Sequence, residues 1–499
     1  MSHQFAYPIR DSNDKMKNRS NYFRAVLYRA CTKSALGVCA AEGGLCPRTK
    51  GLRRCIVMST SYLPYEPQQQ RLMPDALQDW LPEGHLAYFI SDTVEGLDLS
   101  AFHARYAKGG PRNQPFHPLM MVKVLLYAYA TGVFSSRKIA RKLHEDVAFR
   151  VLAAENYPAH RTISDFRALH LSELAGLFVQ VGRLAREMGL VKLGTVAIDG
   201  TKIKANASRH KAMSYERMVQ AEAELKAQIK ALLDKAQITD EAENNEPELD
   251  LPAEIKRRED RLQAIEAAKA RLEARQREAD AARGRHEGDD RKPRDRDGKP
   301  TKGRPYKRDF GIPEAADQES FTDSDSRIMK RAGGGFEYSY NAQTAVDESA
   351  HLIVAAEVTH EAADSAQLPG MLRAIKVNLG VDPEQALADA GYRSEAVFER
   401  LSESTVELIV ALGREGKQQL QIDAAQYPRT AAMHDKLRSE AGQTAYRKRK
   451  WIAEPPNGWI KAVLGFRQFS MRGIAKVRGE FKLVCLALNL RRMATMQRS

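Results

Sequence analysis

The sequence predicts an α/β fold: a mixed sheet with flanking helices, preceded by a helical region and interrupted by a long helical hairpin. Three observations lead there. Residues 195–198 are a β-branched, apolar run that ends on Asp199 and Gly200, the pattern of a buried strand. Residues 385–388 repeat it, with Asp389 at the end and Gly391 just beyond. Residues 213–237 and 254–283 are rich in Ala, Glu, Lys, Arg and Leu and carry apolar stripes at helical spacing.

Taken in order, residues 1–57 stand apart. They lack sustained periodicity, are rich in Arg and Lys, and hold four of the five cysteines, Cys31, Cys39, Cys46 and Cys55. They are expected to be a non-native or disordered extension, with translation starting at Met58. The cysteine gaps do not resemble paired zinc ligands, and the distribution fits a reducing, cytoplasmic compartment. Residues 58–190 read as a helical N-terminal domain. Pro118 opens a helix with Leu119, Val122, Leu125, Leu126 and Tyr129 on one apolar face. Ser135 or Ser136 caps the next helix, which carries Arg137, Lys138, Arg141 and Lys142, and Thr162 to Asp165 form a capping box. Short capped helices with basic faces suit a DNA-binding helix-turn-helix module, or an ordinary helical domain with solvated charges.

The Asp199 strand is expected to close on a turn flanked by Lys202 and Lys204. A buried strand-end carboxylate is costly unless a cation or a donor meets it. Asp199 is therefore a candidate metal ligand for phosphoryl chemistry; the other reading is a turn residue or helix cap. Leu225, Ile229, Leu232 and Ala236 make one stripe and Ile255, Leu262, Ile265 and Leu272 another, with an acidic break at 239–252. This predicts an antiparallel hairpin. A basic linker follows, with eleven Lys/Arg against five Asp/Glu over 283–308, and the insertion spans 209–310. Strands are expected at 335–347 and 352–358, a helix at 367–377, the Asp389 strand, a strand at 406–412, and basic helix in the last hundred residues up to a tail at 493–499. Asp323 and Asp325 read as turn and capping residues, His360 near Asp364 as a turn histidine, and Glu480 as a surface partner of Arg478 and Lys482.

The net charge of +14 makes polyanions the expected partners, nucleic acid first. No apolar run approaches the ~20 residues that span a bilayer. Two aspartates ending neighbouring strands can face one another, as two-metal phosphoryl transfer requires, with hard cations roughly 3.5–4 Å apart. Glu454 is the natural third carboxylate.

Five stretches in order carry a resemblance: residues 197–206, 322–330, 340–347, 388–392, and 446–461 with the following Gly465-Phe466-Arg467. Together they resemble a bacterial insertion-sequence transposase of the DDE type, with a ribonuclease-H-like catalytic core, over residues 58–492. The resemblance implies a catalytic domain at 191–492 and an acidic triad of Asp199, Asp389 and Glu454, binding two Mg²⁺ or Mn²⁺ ions. It implies phosphate contacts from Tyr446, Lys461 and either Arg449 or Lys450, beside Lys202 and Lys204. The implied partner is DNA, as terminal inverted repeats and target, bound by a homodimer on paired ends in the nucleoid. The implied reaction cuts the element's ends and joins their 3′-hydroxyls to target DNA. The alternatives are an inactive DNA-binding regulator derived from such an enzyme, and a general ribonuclease-H-like nuclease.

Overall fold

A computed structural model describes residues 76–106, 115–208, 211–242, 251–288, 292, 304–331, 334–413 and 422–497. The expected extension at 1–57, most of the acidic break and much of the basic linker lie outside the described residues. The N-terminal region is helical: α1 (Leu86–Glu95), α2 (Ser100–Ala104), α3 (Pro118–Ala130), α4 (Ser136–Glu145), α5 (Val147–Leu152), α6 (His160–Leu169) and α7 (Leu171–Glu187). Helix α3 begins where Pro118 places it, and His117 Nδ1 accepts from the Leu119 amide. Its burial corrects the one-face reading, since residues 121–130 are all buried. Helix α6 starts at His160, with no side-chain cap at Ala159, so Thr162 lies inside it and the expected capping box is not used. Burial of Ile163 and Phe166 sets the helix instead.

The rest comprises β1 (Thr195–Lys204), β2 (Ala212–Ser214), α8 (Tyr215–Ala242), α9 (Leu251–Ala282), β3 (Gln318–Ser320), β4 (Arg327–Lys330), β5 (Phe336–Asp347), β6 (Ile353–Thr359), α10 (Leu368–Leu379), β7 (Gln385–Ala388), α11 (Glu395–Arg400), β8 (Glu407–Val410), α12 (Pro428–Arg438), α13 (Glu440–Arg447), α14 (Arg449–Gly458) and α15 (Ile474–Gln497). Six strands form one sheet in the order β4-β5-β1-β7-β8, with β6 also on β5. The long β5 pairs β4 through its first half and β6 through its second. Strand β1 is antiparallel to β5 and parallel to β7, and β7 is parallel to β8, so the sheet is mixed.

Strand β1 departs from expectation in a way that matters. It does not turn at Asp199 but runs on to Lys204, because β5 pairs with it residue by residue as far as Lys204 opposite Ser339. Lys202 and Lys204 are strand residues, not turn residues. The strand that does stop is β7, whose last residue, Ala388, lies beside Ile198.

Helix α15 joins the two halves. It packs on α3, α7 and β6, so the N-terminal helices and the sheet share one hydrophobic core. Glu480, on this helix, is fully buried rather than a surface partner of Arg478 and Lys482. It accepts hydrogen bonds from the Ser470 and Met471 amides at 3.0 and 3.1 Å and from the Ser470 hydroxyl. The start of α15 is held from afar, with the Ile474 amide donating to Asp325 at 2.8 Å and the Gly473 amide to Asp323 at 3.1 Å.

Helices α8 and α9 pair as the predicted antiparallel hairpin: Glu222 meets Lys269 and Lys226 meets Glu266. Among the described residues, the hairpin's core lies at its root, made by Met218, Leu225, Ile265, Ala268 and Leu272. Arg271 and Arg275 bind Glu319 of β3, which is 1 % exposed. A deletion that removes both arginines strands a buried charge, which costs about 3–5 kcal/mol. We expect a hairpin cut back beyond the Gln228–Arg258 contact, which keeps the whole root core, to melt with the wild-type chain, and full deletion to melt well below it. Equal melting of the two truncations would show that the root is not structural.

Candidate active site

The site is a window in one edge of β1. Strand β7 pairs with β1 only as far as Ile198. Further along, the 467–469 segment takes over the same strand: the Lys204 amide donates to Arg467 O at 3.2 Å and the Phe469 amide to Lys204 O at 2.9 Å. Between these two partners the strand from Asp199 to Ile203 is left open. Asp389 directly follows β7, so the parallel register sets it next to Asp199. The two aspartates of the sequence reading thus lie side by side, Asp199 within β1 and Asp389 just past the end of β7.

Strand alternation sends Asp199 and Thr201 to one face and Gly200 and Lys202 to the other. On the first face lies α14 with the turn after it. Asn457 donates to Asp199 Oδ2 at 3.1 Å, and Arg449 Nη1 stands 3.9 Å from Oδ1. The Lys461 ammonium donates to Thr201 Oγ1. Burial pushes the Asp199 carboxyl up to about 6; Arg449 opposes this and the negative charge of Asp389 adds to it. Of the two cations left open by the sequence, Arg449 is the one beside the aspartates, where it shares a hydrogen bond with Tyr446, while Lys450 is exposed. Lys204 turns away to Glu337 at 3.7 Å.

The second face holds a network that sequence reasoning missed. Asp364 Oδ1 accepts from Asn341 at 2.6 Å and from Gln343 at 2.7 Å, with Lys202 Nζ 3.5 Å away. The Tyr392 hydroxyl donates to Gln343 Oε1. Asn341 and Gln343 stand two apart on β5, so both face the same side of the sheet, and that spacing was the one available sign of them. Asp364 gave none.

A cationic cleft adjoins the window. Lys202, Arg331, Lys461 and Arg467 line it with Gly200, Thr201 and Gly334, around about 540 Å³ of space. Burial, then the neighbouring Arg331, Arg467 and Lys202 charges, pull the Lys461 ammonium below the usual lysine value, and Asp199 opposes them. Repelling cations held together fit a polyanion.

Asp199 and Asp389 also suit a hard divalent cation. A half-buried carboxyl destabilised by its neighbour's charge is relieved by a cation, and Mg²⁺ commonly takes one or two carboxylates together with phosphate oxygens. Glu454 is not brought to the pair. Its side chain is exposed on α14, and among the described residues no group of three or more His, Cys, Asp and Glu is arranged to hold a metal.

Two families match the chain. One described as a transposase DDE domain covers residues 291–490, and one described as a transposase domain, DUF772, covers residues 75–169. Together the two matches support an insertion-sequence DDE transposase. No curated protein and no solved structure gives a significant match. The mixed sheet is consistent with a ribonuclease-H-like DDE domain, and members of the family generally use divalent metal ions and bind DNA. The DDE match begins beyond the hairpin, so Asp389, Glu454 and Lys461 lie within it while Asp199 lies outside. The place of Asp199 in the site rests on the register of β1 against β7, which ends one residue before it, and on its contacts with α14. Among the described residues no helix is long and apolar enough to cross a membrane.

Proposed function

We propose that the chain cleaves phosphodiester bonds at the ends of its insertion sequence and joins the 3′-hydroxyl ends to target DNA, with Asp199, Asp389 and Glu454 as its acidic residues. The observation that carries this is the pair of aspartates in an open strand window, bordered by four cations. Asp199 and Asp389 would hold the divalent ion. That ion, when bound, activates an attacking oxygen and stabilises the charge of the leaving oxygen. Asn457 and Arg449 orient the Asp199 carboxylate from one side. Lys202, Lys461, Arg331 and Arg467 neutralise the phosphates that flank the scissile bond and hold the strand across the window. Glu454 lies on the helix that carries Arg449 and Asn457 and would be the third acid of the set.

Helices α4 and α6 form the second DNA contact. Arg137 and Arg161 line a cavity of about 600 Å³ between them, with Ser135, Ser136, His160, Ser164 and the acidic Asp165. The protein acts on paired ends as a homodimer in the nucleoid.

The test is Mg²⁺-dependent cleavage of DNA that carries the element's own terminal inverted repeats. We expect cleavage at the repeat ends, loss with chelator and recovery with Mn²⁺. Tight, repeat-specific binding with no cleavage under either metal would instead establish the inactive regulator. Cleavage indifferent to the repeats would point to a general nuclease.

A further inference from the structure

Both aspartate motifs carry a glycine, at 200 and at 391, and the structure gives the two a common reason. A Cβ on Gly200 would stand 2.7 Å from Asp364 Oδ1 and 2.5 Å from Gln343 Nε2. A Cβ on Gly391 would stand 3.3 Å from Asp364 Oδ2 and 3.0 Å from Asp389 Oδ1. One carboxylate therefore fills the space next to both glycines, one inside β1 and one just past the end of β7. It comes from the loop after β6. Asn341 Nδ2, which donates to Asp364, also donates to Glu361 O at 3.1 Å and so ties that loop to β5.

Asp364 is held firmly. Its Oδ1 takes the Asn341 and Gln343 amides, and Gln343 is fixed in turn by Tyr392, a fully buried residue immediately after Gly391. The remaining neighbour is the Lys202 ammonium. Lys202 and Asp364 are 20 % and 21 % exposed, and Lys202 also lines the cationic cleft. A lysine has four rotatable carbons and loses much freedom when ordered. It stays at the border of carboxylates and cleft only if something anchors its head group.

We propose that Asp364 is a positioning residue of the active site: it anchors the Lys202 ammonium at the mouth of the cationic cleft and fills the space beside Gly200 and Gly391. The proposal rests on the cleavage reading for its consequence in catalysis, but not for its geometry. Asp364 itself touches no reacting group. It acts through Lys202, which meets the phosphate.

The experiment has two arms. The first needs no activity. Lysine acylation of the full chain, read peptide by peptide by mass spectrometry, compares wild type with Asp364→Asn, a substitution that keeps shape and one acceptor but removes the charge. Lys202 should be acylated several-fold faster in the variant, with Lys461 unchanged and the melting temperature close to wild type. The second arm is a double-mutant cycle on end-DNA cleavage with Lys202→Met. Asp364→Asn alone should slow cleavage roughly 10–100-fold, the range for losing one charge-assisted hydrogen bond, and should add almost nothing when Lys202 is already Met. Unchanged acylation of Lys202 in a folded variant would overturn the proposal, as would an equal loss of cleavage in both backgrounds. Should the Asn variant not fold, Asp364→Ser gives the same two readings with less bulk. If the wild-type chain does not cleave at all, the proposed reaction fails, and the acylation arm still decides the role of Asp364.

Discussion

Asp199→Asn will abolish strand cleavage and yet, at pH 8 in the presence of chelator, melt above the wild-type chain. The two effects have one origin. The Asp199 carboxyl is pushed up to about 6 from the usual 3.8, first by burial, with Asp389 adding to the effect. The folded chain therefore binds more protons than the unfolded chain between about pH 4 and pH 6. Stability falls as pH rises through that window, and above it the full deficit stands at about 3 kcal/mol. Arg449 loses its partner in the variant, but its attraction is already contained in the raised value, so the sign holds. Asparagine keeps the shape and carries no charge, so it escapes the deficit. The advantage should shrink to nothing near pH 4, where the wild-type carboxyl is also neutral. Mg²⁺ should raise the melting temperature of the wild type at pH 8, barely do so at pH 4, and do little for the variant at either. Cleavage should fall roughly 10³-fold, the upper end for removing one group that stabilises transition-state charge. A variant that melts below wild type at pH 8 would mean that the ionised carboxylate is at home in this site and that a cation is not what the site lacks.

The second large effect separates two glutamates. Glu454→Gln should leave the melting temperature unchanged, because the side chain is exposed, and should abolish cleavage while DNA binding at fixed salt is retained. Glu480→Ala should do the reverse in kind. It removes the acceptor of the Ser470 and Met471 amides and of the Ser470 hydroxyl in a fully buried place. Two orphaned backbone donors and a cavity cost about 3–5 kcal/mol together. Cleavage per folded molecule should persist at a temperature where the variant remains folded. If Glu454→Gln cleaves normally, the third acid is misassigned. If Glu480→Ala melts like wild type, the hydrogen bonds around Ser470 contribute nothing net.

Much of the architecture was legible because it is written locally. The run before Asp199 is a strand because its β-branched and apolar residues suit a buried sheet, and the short apolar run before Asp389 is held as a strand between β1 and β8. Pro118 opens its helix, and the 213–283 stripes make a hairpin. Errors arose where a neighbour overrode the local signal. Asp199 and Gly200 read as a strand end, yet β5 keeps pairing past them. Thr162 to Asp165 read as a helix start, yet burial of Ile163 and Phe166 starts the helix earlier. Glu480 between Arg478 and Lys482 read as surface, yet α15 lies in the core.

The sequence by itself determined the carboxylates, the glycines beside them and the cations near Lys461, since residue type and short spacing are properties of the chain alone. The tertiary structure decided which of these meet. Asn457 reaches Asp199 across 258 positions, Arg449 rather than Lys450 faces that carboxylate, and Asp364 fills the space that both glycines leave. Those meetings depend on strand register and on how α14 and the loop after β6 pack against the sheet. Periodicity records only whether a residue is buried, not what it is buried against, so no reading of spacing could have supplied them.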